Sequence, residues 1–302
     1  MSPIFSPNPI EVTPEGTCKI EGIKYPAVGF GTYRLKDEVC FTAVATAFEL
    51  GYRIIDTATL YRNFDPIGKV MLKYGRGNFY LISKVWPNAH TSQLLHEDIQ
   101  TTLEKLQTTY LDAYLLHWPN SKVPIEETLN TLEEFRAKKL IRHIGMSNVN
   151  TNHLKRALEL KIPIIWVQVE MNPFFYDPEL LVFCQKNGIT LQAWGPLGRG
   201  RINENPILKK LAEKYRKTAS QIALKWIMQH GCIPLPGSKN PKHIQENFDV
   251  MDFMLSGKEM EEINEKARLG KRERVTLEKG VGFTDEFDFS YEQCWPKSLF
   301  KI

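Results

Sequence analysis

The sequence predicts an α/β fold, a (β/α)8 or TIM barrel with an N-terminal β-hairpin and a C-terminal tail. Short β-rich runs alternate with longer amphipathic runs between about residues 27 and 235, the pattern of parallel strands joined by helical crossovers. No Gly-x-Gly-x-x-Gly motif joins the first strand to its helix, so an open dinucleotide-binding sheet lacks its fingerprint. The barrel is therefore favoured, and the 302 residues leave room for end segments beyond its roughly 250.

Eight runs have the length and residue types of buried strands: 27–30, 53–56, 79–84, 112–117, 142–146, 166–169, 190–194 and 232–235. The clearest helices are residues 37–50, 92–106, 125–138, 150–159, 177–187 and 220–229. In the first helix Val39, Ala43, Ala47 and Leu50 recur at helical spacing, and Gly51 stands where a C-terminal cap belongs.

Two segments lie outside the predicted barrel. Residues 17–20 and 23–25 predict a hairpin that turns at Glu21 and Gly22, and residues 269–302 form a tail rich in aromatic residues. The tail either packs these aromatics on the barrel or closes over a substrate pocket as a lid. No composition shift divides the chain, so we expect one domain over 1–302, with the hairpin at 17–25, the barrel at 27–268 and the tail at 269–302.

Composition and charge exclude several classes of protein. Hydrophobic residues make up 42% and charged residues 25%, which excludes disordered and fibrous classes. A net charge of +4 is too balanced to indicate a nucleic-acid or membrane surface, and no apolar run approaches the roughly 18 residues of a membrane helix. We expect no secretion signal. The cysteines, which are odd in number and lack C-x-x-C spacing, are Cys18, Cys40, Cys184, Cys232 and Cys294. We therefore expect a cytoplasmic monomer with reduced thiols, no metal site and a small-molecule partner.

Three polar residues end predicted strands, and a tyrosine follows one of them. Asp56, Lys84 and His117 each finish an apolar run, and Tyr61 lies five residues after Asp56. Active sites of barrels lie at the C-terminal ends of the strands, so these four side chains are expected at one rim. Together they could transfer a proton to a carbonyl oxygen. Each alone also has a structural explanation. Asp56 could cap a turn and Tyr61 could simply pack, while Lys84 could be solvent-exposed and His117 a core histidine.

The chemistry suggests a role for each of the four. A free tyrosine has a pKa near 10 and is a poor acid at neutral pH. We expect the Lys84 ammonium to stabilise the Tyr61 phenolate and lower its pKa. Asp56 would hold Lys84 charged, and His117 would donate a hydrogen bond to the reacting oxygen.

Three segments around these residues resemble the signature segments of the aldo-keto reductase family, in the family's order and spacing. They are DTATLY at 56–61, SKVW at 83–86 and LLHWP at 115–119. The resemblance continues through GFGTY at 29–33, IGMSN at 144–148, VQVEMNP at 167–173 and PLG at 196–198, and so covers roughly residues 17 to 265.

The resemblance implies a (β/α)8 barrel that reduces aldehydes or ketones with a nicotinamide cofactor and without a Rossmann domain. It assigns the catalytic tetrad to Asp56, Tyr61, Lys84 and His117. Ser147, Asn148 and Gln168 would hold the nicotinamide carboxamide, and Trp194 would stack under the ring where the family usually has a tyrosine. The remaining cofactor contacts would come from Thr32, Gly195, Pro196, Leu197, Gly198, Ser238, Lys239, His243, Glu246 and Asn247. An apolar pocket of Tyr33, Trp86, Trp118 and Trp295 would take the carbonyl substrate.

The sequence departs from the family pattern at two places. Phe64 stands where a glutamate is usual, close to Tyr61. After the eighth strand, Gly237 and His243 replace the usual phosphate-binding lysine and arginine. Lys239 and Lys242 can supply positive charge from the same loop, with Ser238 as a neutral donor. We therefore expect NADPH to be preferred over NADH by a smaller margin than arginine would give, with Lys239 as the main contributor.

Two other functions remain open from the sequence. The first is a redox-sensing or regulatory subunit that holds the cofactor on the same barrel and turns over little. The second is a metal-dependent barrel hydrolase or isomerase using Asp56, His117 and Glu170, but Lys84 among them would compete with a cation.

Overall fold

The computed structural model describes residues 10–120 and 122–269, and its centre is a barrel of eight parallel strands. The strands follow one another around the barrel in chain order, as β4 (Gly29–Gly31), β5 (Ile54–Asp56), β6 (Tyr80–Val85), β7 (Leu111–Leu116), β8 (Ile141–Ser147), β9 (Ile164–Glu170), β10 (Thr190–Trp194) and β11 (Ile233–Pro234). All seven neighbouring pairs are parallel. The predicted fold class is confirmed, and all eight predicted strands overlap observed ones.

The barrel closes where its last strand returns to its first. The Gly31 N–H donates a hydrogen bond to the carbonyl oxygen of Pro236, at 3.0 Å. A Cβ atom at Gly31 would lie 2.8 Å from the carbonyl oxygen of Leu235. Glycine at position 31 therefore lets the backbones of β4 and the end of β11 approach each other.

Ten α-helices are found in the part of the chain that the structure describes. They are α1 (Asp37–Leu50), α2 (Phe64–Tyr74), α3 (Ser92–Lys105), α4 (Ile125–Ala137), α5 (Thr151–Glu159), α6 (Pro178–Lys186), α7 (Pro206–Tyr215), α8 (Ala219–Gln229), α9 (Pro241–Phe248) and α10 (Gly257–Leu269). The six predicted helices are confirmed. The predicted cap is also present, since Gly51 has φ of 112° and its N–H bonds the carbonyl oxygen of Phe48 at 3.0 Å.

The sequence analysis missed α2, α7, α9 and α10. Proline residues begin α7 and α9, and α2 contains Pro66 and Gly68 near its start. These residues usually interrupt helices, although proline is well tolerated in the first turn. Gly68 has a packing reason, because a Cβ there would lie 2.8 Å from the carbonyl oxygen of Leu106.

The predicted hairpin is confirmed as β2 (Thr17–Ile20) and β3 (Ile23–Pro26), with β1 (Glu11–Val12) as an additional edge strand. The connection between β1 and β2 is attached to α8, since Lys225 Nζ donates to the carbonyl oxygen of Pro14 at 2.9 Å. The tail, including Trp295, lies outside the described residues.

Apolar side chains fill two layers of the barrel. One buried cluster lies between the strands and their helices and includes Ile55, Leu81 and Tyr114. A second contains residues of alternate register on the same strands, such as Ile54, Ile82, Leu115 and Trp166, and includes side chains of the hairpin. No helix among the described residues is long and apolar enough to cross a membrane.

We predict that Gly31→Ala destabilises the fold, because the new methyl group meets a backbone carbonyl that cannot rotate away. The expected loss is about 1–3 kcal/mol of unfolding free energy, the usual cost of overpacking. Urea denaturation measures it. Gly257→Ala is the matched control, since a Cβ at Gly257 would contact nothing within 4 Å. Equal stability of the two variants would contradict the close approach at Gly31.

Candidate active site

A cavity of about 280 Å³ opens at the C-terminal ends of the barrel strands. Many residues predicted for the site line it together: Tyr33, Asp56, Tyr61, Trp86, His117, Trp118, Ser147, Asn148, Gln168, Trp194, Gly195, Pro196 and Leu197. These residues come from seven separate segments of the chain. The strand ends therefore bring together the side chains that the sequence pattern indicated.

Lys84 lies below this cavity and donates hydrogen bonds to three groups. Its Nζ atom is 2.8 Å from Asp56 Oδ2, 2.8 Å from the carbonyl oxygen of Thr57 and 3.3 Å from Tyr61 Oη. The Lys84 side chain is fully buried, and Asp56 is 4% exposed. The ring of His117 meets the ring of Tyr61 edge-on, with 5.7 Å between centroids. The four residues predicted as a tetrad thus form one contiguous group.

The strands place these groups by their backbone hydrogen bonds. Asp56 is the last residue of β5, and Lys84 is the last but one of β6. Beyond the strand ends the ladder continues, since the N–H of His117 bonds the carbonyl oxygen of Val85 at 3.0 Å. Tyr61 instead ends a short 3₁₀ turn, Thr59–Tyr61, that follows β5.

Burial controls the protonation states at the floor of the cavity. The pKa of Tyr61 is raised well above 10, first by burial and then by the negative charge of Asp56. The expected lowering of this pKa is therefore wrong for the folded chain, because desolvation, Asp56 and Tyr33 all raise it. Burial also lowers the pKa of Lys84, against the opposing effect of Asp56. The pKa of His117 lies well below 6.5 because of burial and the charge of Lys84. At neutral pH, Tyr61 is thus a phenol and His117 a neutral imidazole.

Two amide side chains of the cavity are fixed by their neighbours. Gln168 Nε2 donates to Asp56 Oδ1 at 2.8 Å and to Gln192 Oε1 at 2.9 Å, which leaves the Gln168 carbonyl oxygen to accept. Asn148 Nδ2 donates to the carbonyl oxygen of His117 at 2.8 Å and to Ser147 Oγ at 3.1 Å. The Ser147 hydroxyl can therefore donate. One acceptor and one donor side by side match the N–H and C=O groups of a carboxamide.

The indole of Trp194 is also held in place. Its Nε1 donates to Asn148 Oδ1 at 2.9 Å, and the residue lines the cavity with part of its surface exposed. A fixed, partly exposed indole offers a flat apolar face to a planar ring.

Other predicted cofactor residues lie away from the cavity wall. Thr32 is buried, and its hydroxyl donates to the carbonyl oxygen of Asp56 at 2.9 Å. Gly198 is buried at the start of the next 3₁₀ segment. The remaining five, in or just before α9, are Ser238, Lys239, His243, Glu246 and Asn247. Lys239 and His243 are exposed, whereas Asn247 is buried.

Aromatic side chains form the upper wall of the cavity. The ring of Tyr33 lies 5.1 Å from the ring of Tyr61, and the ring of Trp86 meets that of His117 edge-on at 5.0 Å. Trp118 completes this wall. Phe64, which replaces the family's usual glutamate, is buried in the layer between strands and helices.

Sequence reasoning missed two arginines at the mouth of the cavity. Arg199 lines it, and partial desolvation of this exposed side chain, followed by the positive charge of Arg34, lowers the pKa of Arg199. Both residues have left-handed backbone conformations, with φ of 54° at Arg199 and 67° at Arg34. Such conformations are uncommon for residues other than glycine and often mark functional loops. The signal in the sequence was the Gly198–Gly200 pair flanking Arg199.

A metal-based reaction has no donor set here. No group of three or more His, Cys, Asp or Glu side chains in residues 10–120 and 122–269 could hold a metal ion. Lys84 occupies the position between Asp56 and Tyr61 where a cation would otherwise be coordinated.

Comparisons with known proteins identify the family of the chain. Residues 27–268 match the model of the Aldo/keto reductase family. The chain is 36% identical over 258 residues to glyoxal reductase of Bacillus subtilis (strain 168), covering 84% of this chain and 92% of that protein. It is 33% identical over 258 residues to methylglyoxal reductase DkgA of Escherichia coli (strain K12), covering 83% and 93%.

A solved structure shows the same arrangement of the chain. The crystal structure of an aldo/keto reductase from Brucella melitensis has a TM-score of 0.78 and 34% sequence identity, covering 84% of this chain and 99% of that one. With the family model matched over most of the sequence, the chain belongs to the aldo/keto reductase family, whose members are oxidoreductases acting on aldehydes and ketones.

Proposed function

We propose that this chain is an NADPH-dependent reductase of small aldehydes and ketones, with Tyr61 as the proton donor. The observation that carries the proposal is the contact of Tyr61 Oη with the buried Lys84–Asp56 pair at the floor of a cavity, 3.3 Å from Lys84 Nζ. The names of two relatives, glyoxal reductase and methylglyoxal reductase, support small aldehydes as substrates.

The cavity fits a nicotinamide cofactor. The Gln168 acceptor and Ser147 donor match its carboxamide, and the Trp194 face matches its ring. Arg199 and Arg34 supply positive charge for the diphosphate of the dinucleotide. When bound, the reduced nicotinamide supplies a hydride to the carbonyl carbon.

The chain's own residues would then provide the proton. Tyr61 donates its phenolic proton to the carbonyl oxygen, which completes the alcohol as the hydride reaches the carbon. The Lys84 ammonium stabilises the phenolate that remains, and Asp56 keeps Lys84 charged. His117 is neutral and can donate one hydrogen bond to the same oxygen. The aromatic wall excludes water from this reaction.

We further propose a weakened NADPH preference from the loop before α9. Lys242 pairs with Glu246 at 3.8 Å, so part of its charge is neutralised. Lys239 remains exposed beside the N-terminus of an eight-residue helix, where an anion is favoured. Lys239 would then be the main contact of the 2′-phosphate, with His243 in second place and NADH as the weaker cofactor.

A cytoplasmic location is proposed from the cysteines. Cys18, Cys40, Cys184 and Cys232 are buried free thiols, and burial raises the pKa of Cys18 and Cys40 to about 12. Such thiols are inert and suit a reducing compartment.

We predict that Tyr61→Phe removes most carbonyl reduction while cofactor binding stays close to normal, because only the donated proton is lost. General acid catalysis typically contributes about a hundred- to ten-thousand-fold. The measurements are NADPH oxidation with methylglyoxal and cofactor fluorescence titration. Near-normal turnover in this variant would overturn the role of Tyr61.

We predict that Arg199 and Lys239 affect cofactor binding in different ways. Arg199→Gln should raise the Kd of NADPH and NADH by a similar severalfold factor, because both carry the diphosphate. Lys239→Gln should raise the Kd of NADPH only. Arg216→Gln is the matched control, since Arg216 is also exposed and left-handed, with φ of 53°, but does not line the cavity. A selective effect of Arg199→Gln on NADPH would contradict this division.

We predict that protonation of His117 does not lower kcat as the pH falls toward about 6. Its pKa lies well below the usual value, so kcat should show no loss from its protonation between about pH 8 and about pH 6. Steady-state rates of the native enzyme and of His117→Gln test this. An apparent pKa near 6.5 that is present in the native enzyme and missing in the variant would disprove a neutral His117.

A further inference from the structure

A polar cluster lies on the outer side of the barrel wall, behind the candidate active site. Asp98 of α3 is at its centre, and one carboxylate oxygen, Oδ2, accepts from three hydroxyl groups. The Thr59 hydroxyl is 3.0 Å away, the Thr102 hydroxyl is 3.4 Å away, and the Tyr114 hydroxyl forms a short hydrogen bond with the same oxygen. We call these four residues the Asp98 cluster.

The Asp98 cluster joins the elements that carry the proposed catalytic groups. Thr59 begins the 3₁₀ turn that ends at Tyr61. The Thr59 hydroxyl is also 3.1 Å from the carbonyl oxygen of Lys84. Tyr114 lies on β7, which ends just before His117. The carboxylate therefore connects the turn of Tyr61 to the strand that precedes His117, and the Thr59 hydroxyl itself lies against the strand of Lys84.

The electrostatics of the cluster set it apart from a structural ion pair. Among the residues that the structure describes, Asp98 pairs with no lysine or arginine. Burial raises its pKa, and the hydroxyls of Tyr114, Thr59 and Thr102 oppose this effect in that order. Because the partners of this buried carboxylate are hydroxyl groups, we infer that the effect of Asp98 is to orient those hydroxyls.

The turn of Tyr61 depends on such contacts because it has few of its own. Its residues are only half-buried, and it closes with two backbone bonds, from the N–H of Tyr61 to Ala58 and from that of Arg62 to Thr59. On its other side, the Thr57 hydroxyl donates to Asn63 at 2.7 Å. Thr59 is thus the link between the turn and the β6–β7 side of the barrel.

We propose that Asp98 is a positioning residue for the reduction: through Thr59 it fixes the turn that sets the Tyr61 hydroxyl over Lys84. This rests on the proposed function of Tyr61 as proton donor. The hydrogen bond from Lys84 Nζ to Tyr61 Oη is 3.3 Å long, so an outward shift of the turn would break it. Displacements of about 1 Å can reduce catalysis on the order of a hundredfold.

The test uses paired variants that remove or keep the hydrogen bonds. Thr59→Val and Asp98→Leu should each lower kcat about tenfold, part of the loss that a full displacement would give. KM for methylglyoxal and Kd for NADPH should stay within about twofold of native, because no cavity contact is removed. Thr59→Ser and Asp98→Asn should retain native kcat, since each keeps the hydroxyl or the acceptor oxygen.

Two further comparisons separate positioning from general destabilisation. Adding Thr59→Val to Asp98→Leu should cause clearly less than the additive loss, because the two residues share one link and only the contact of Thr59 with the Lys84 carbonyl oxygen remains to be removed. Tyr74→Phe is the control for stability, because it removes another tyrosine–carboxylate bond, to Glu49, between α1 and α2. It should leave kcat unchanged, whereas Tyr114→Phe should lower it.

The outcomes distinguish this proposal from the proposed function. In a Tyr61→Phe background, Thr59→Val should have no effect on the residual rate. If Tyr61→Phe abolishes reduction while Thr59→Val and Asp98→Leu keep native kcat, the positioning role is overturned and the function stands. Additive losses in the double variant, or equal losses in Asp98→Asn and Asp98→Leu, would also overturn it. If Tyr61→Phe reduces carbonyls normally, the proposed role of Tyr61 as proton donor has failed, and the positioning proposal that rests on it fails too.

Discussion

The buried ion pair of Lys84 and Asp56 is the interaction on which the rest of the site depends. Both charges are removed from water, which costs several kcal/mol each unless their remaining hydrogen-bonding groups are satisfied. Here the partners are groups of the site itself: Gln168 for Asp56, and the carbonyl oxygen of Thr57 and Tyr61 for Lys84. Removing one member of such a pair typically costs about 3–5 kcal/mol because the other charge is left uncompensated. The same bonds therefore stabilise the barrel mouth and orient its reactive groups.

The polar side chains at the floor of the cavity lie directly above an apolar barrel interior. From Asp56 the hydrogen bonds run through Gln168 to Gln192, crossing the barrel from β5 to β9 and β10. Below this line the interior contains side chains such as Ile82 and Leu115. Desolvation at the floor of the cavity raises the pKa of Tyr61 and lowers that of His117. The layer that stabilises the fold thus also sets the protonation states that the proposed reaction needs.

The sequence predicts the barrel and the four floor residues because both follow from local pattern. Alternating strands and helices determine the topology, and Asp56, Lys84 and His117 stand at strand ends where a barrel places its site. The sequence does not predict α2, because Pro66 and Gly68 usually interrupt helices. The close approach to the carbonyl oxygen of Leu106 explains the glycine.

Other features depend on contacts between segments far apart in sequence. The charge of Arg34 acts on Arg199 only in the folded barrel, and Asp98 contacts Thr59 across 39 residues. The raised pKa of Tyr61 has the same origin, because the hydroxyl is desolvated and placed near Asp56 and Tyr33 only in the folded barrel. A charge can be read from sequence, but its desolvation depends on the whole fold.

The turn that carries Tyr61 shows how a loop residue can be placed as firmly as a strand residue. From one side Asn63 accepts from the Thr57 hydroxyl and donates to the carbonyl oxygen of Thr32 at 2.9 Å. From the other side Asp98 accepts from Thr59. Both anchors lie outside the cavity, whereas the aromatic wall above Tyr61 is formed by separate loops. Because the hydrogen bonds that anchor this turn do not pass through the aromatic wall, substitutions in the wall should leave the turn in place, as the proposed role of Tyr61 requires.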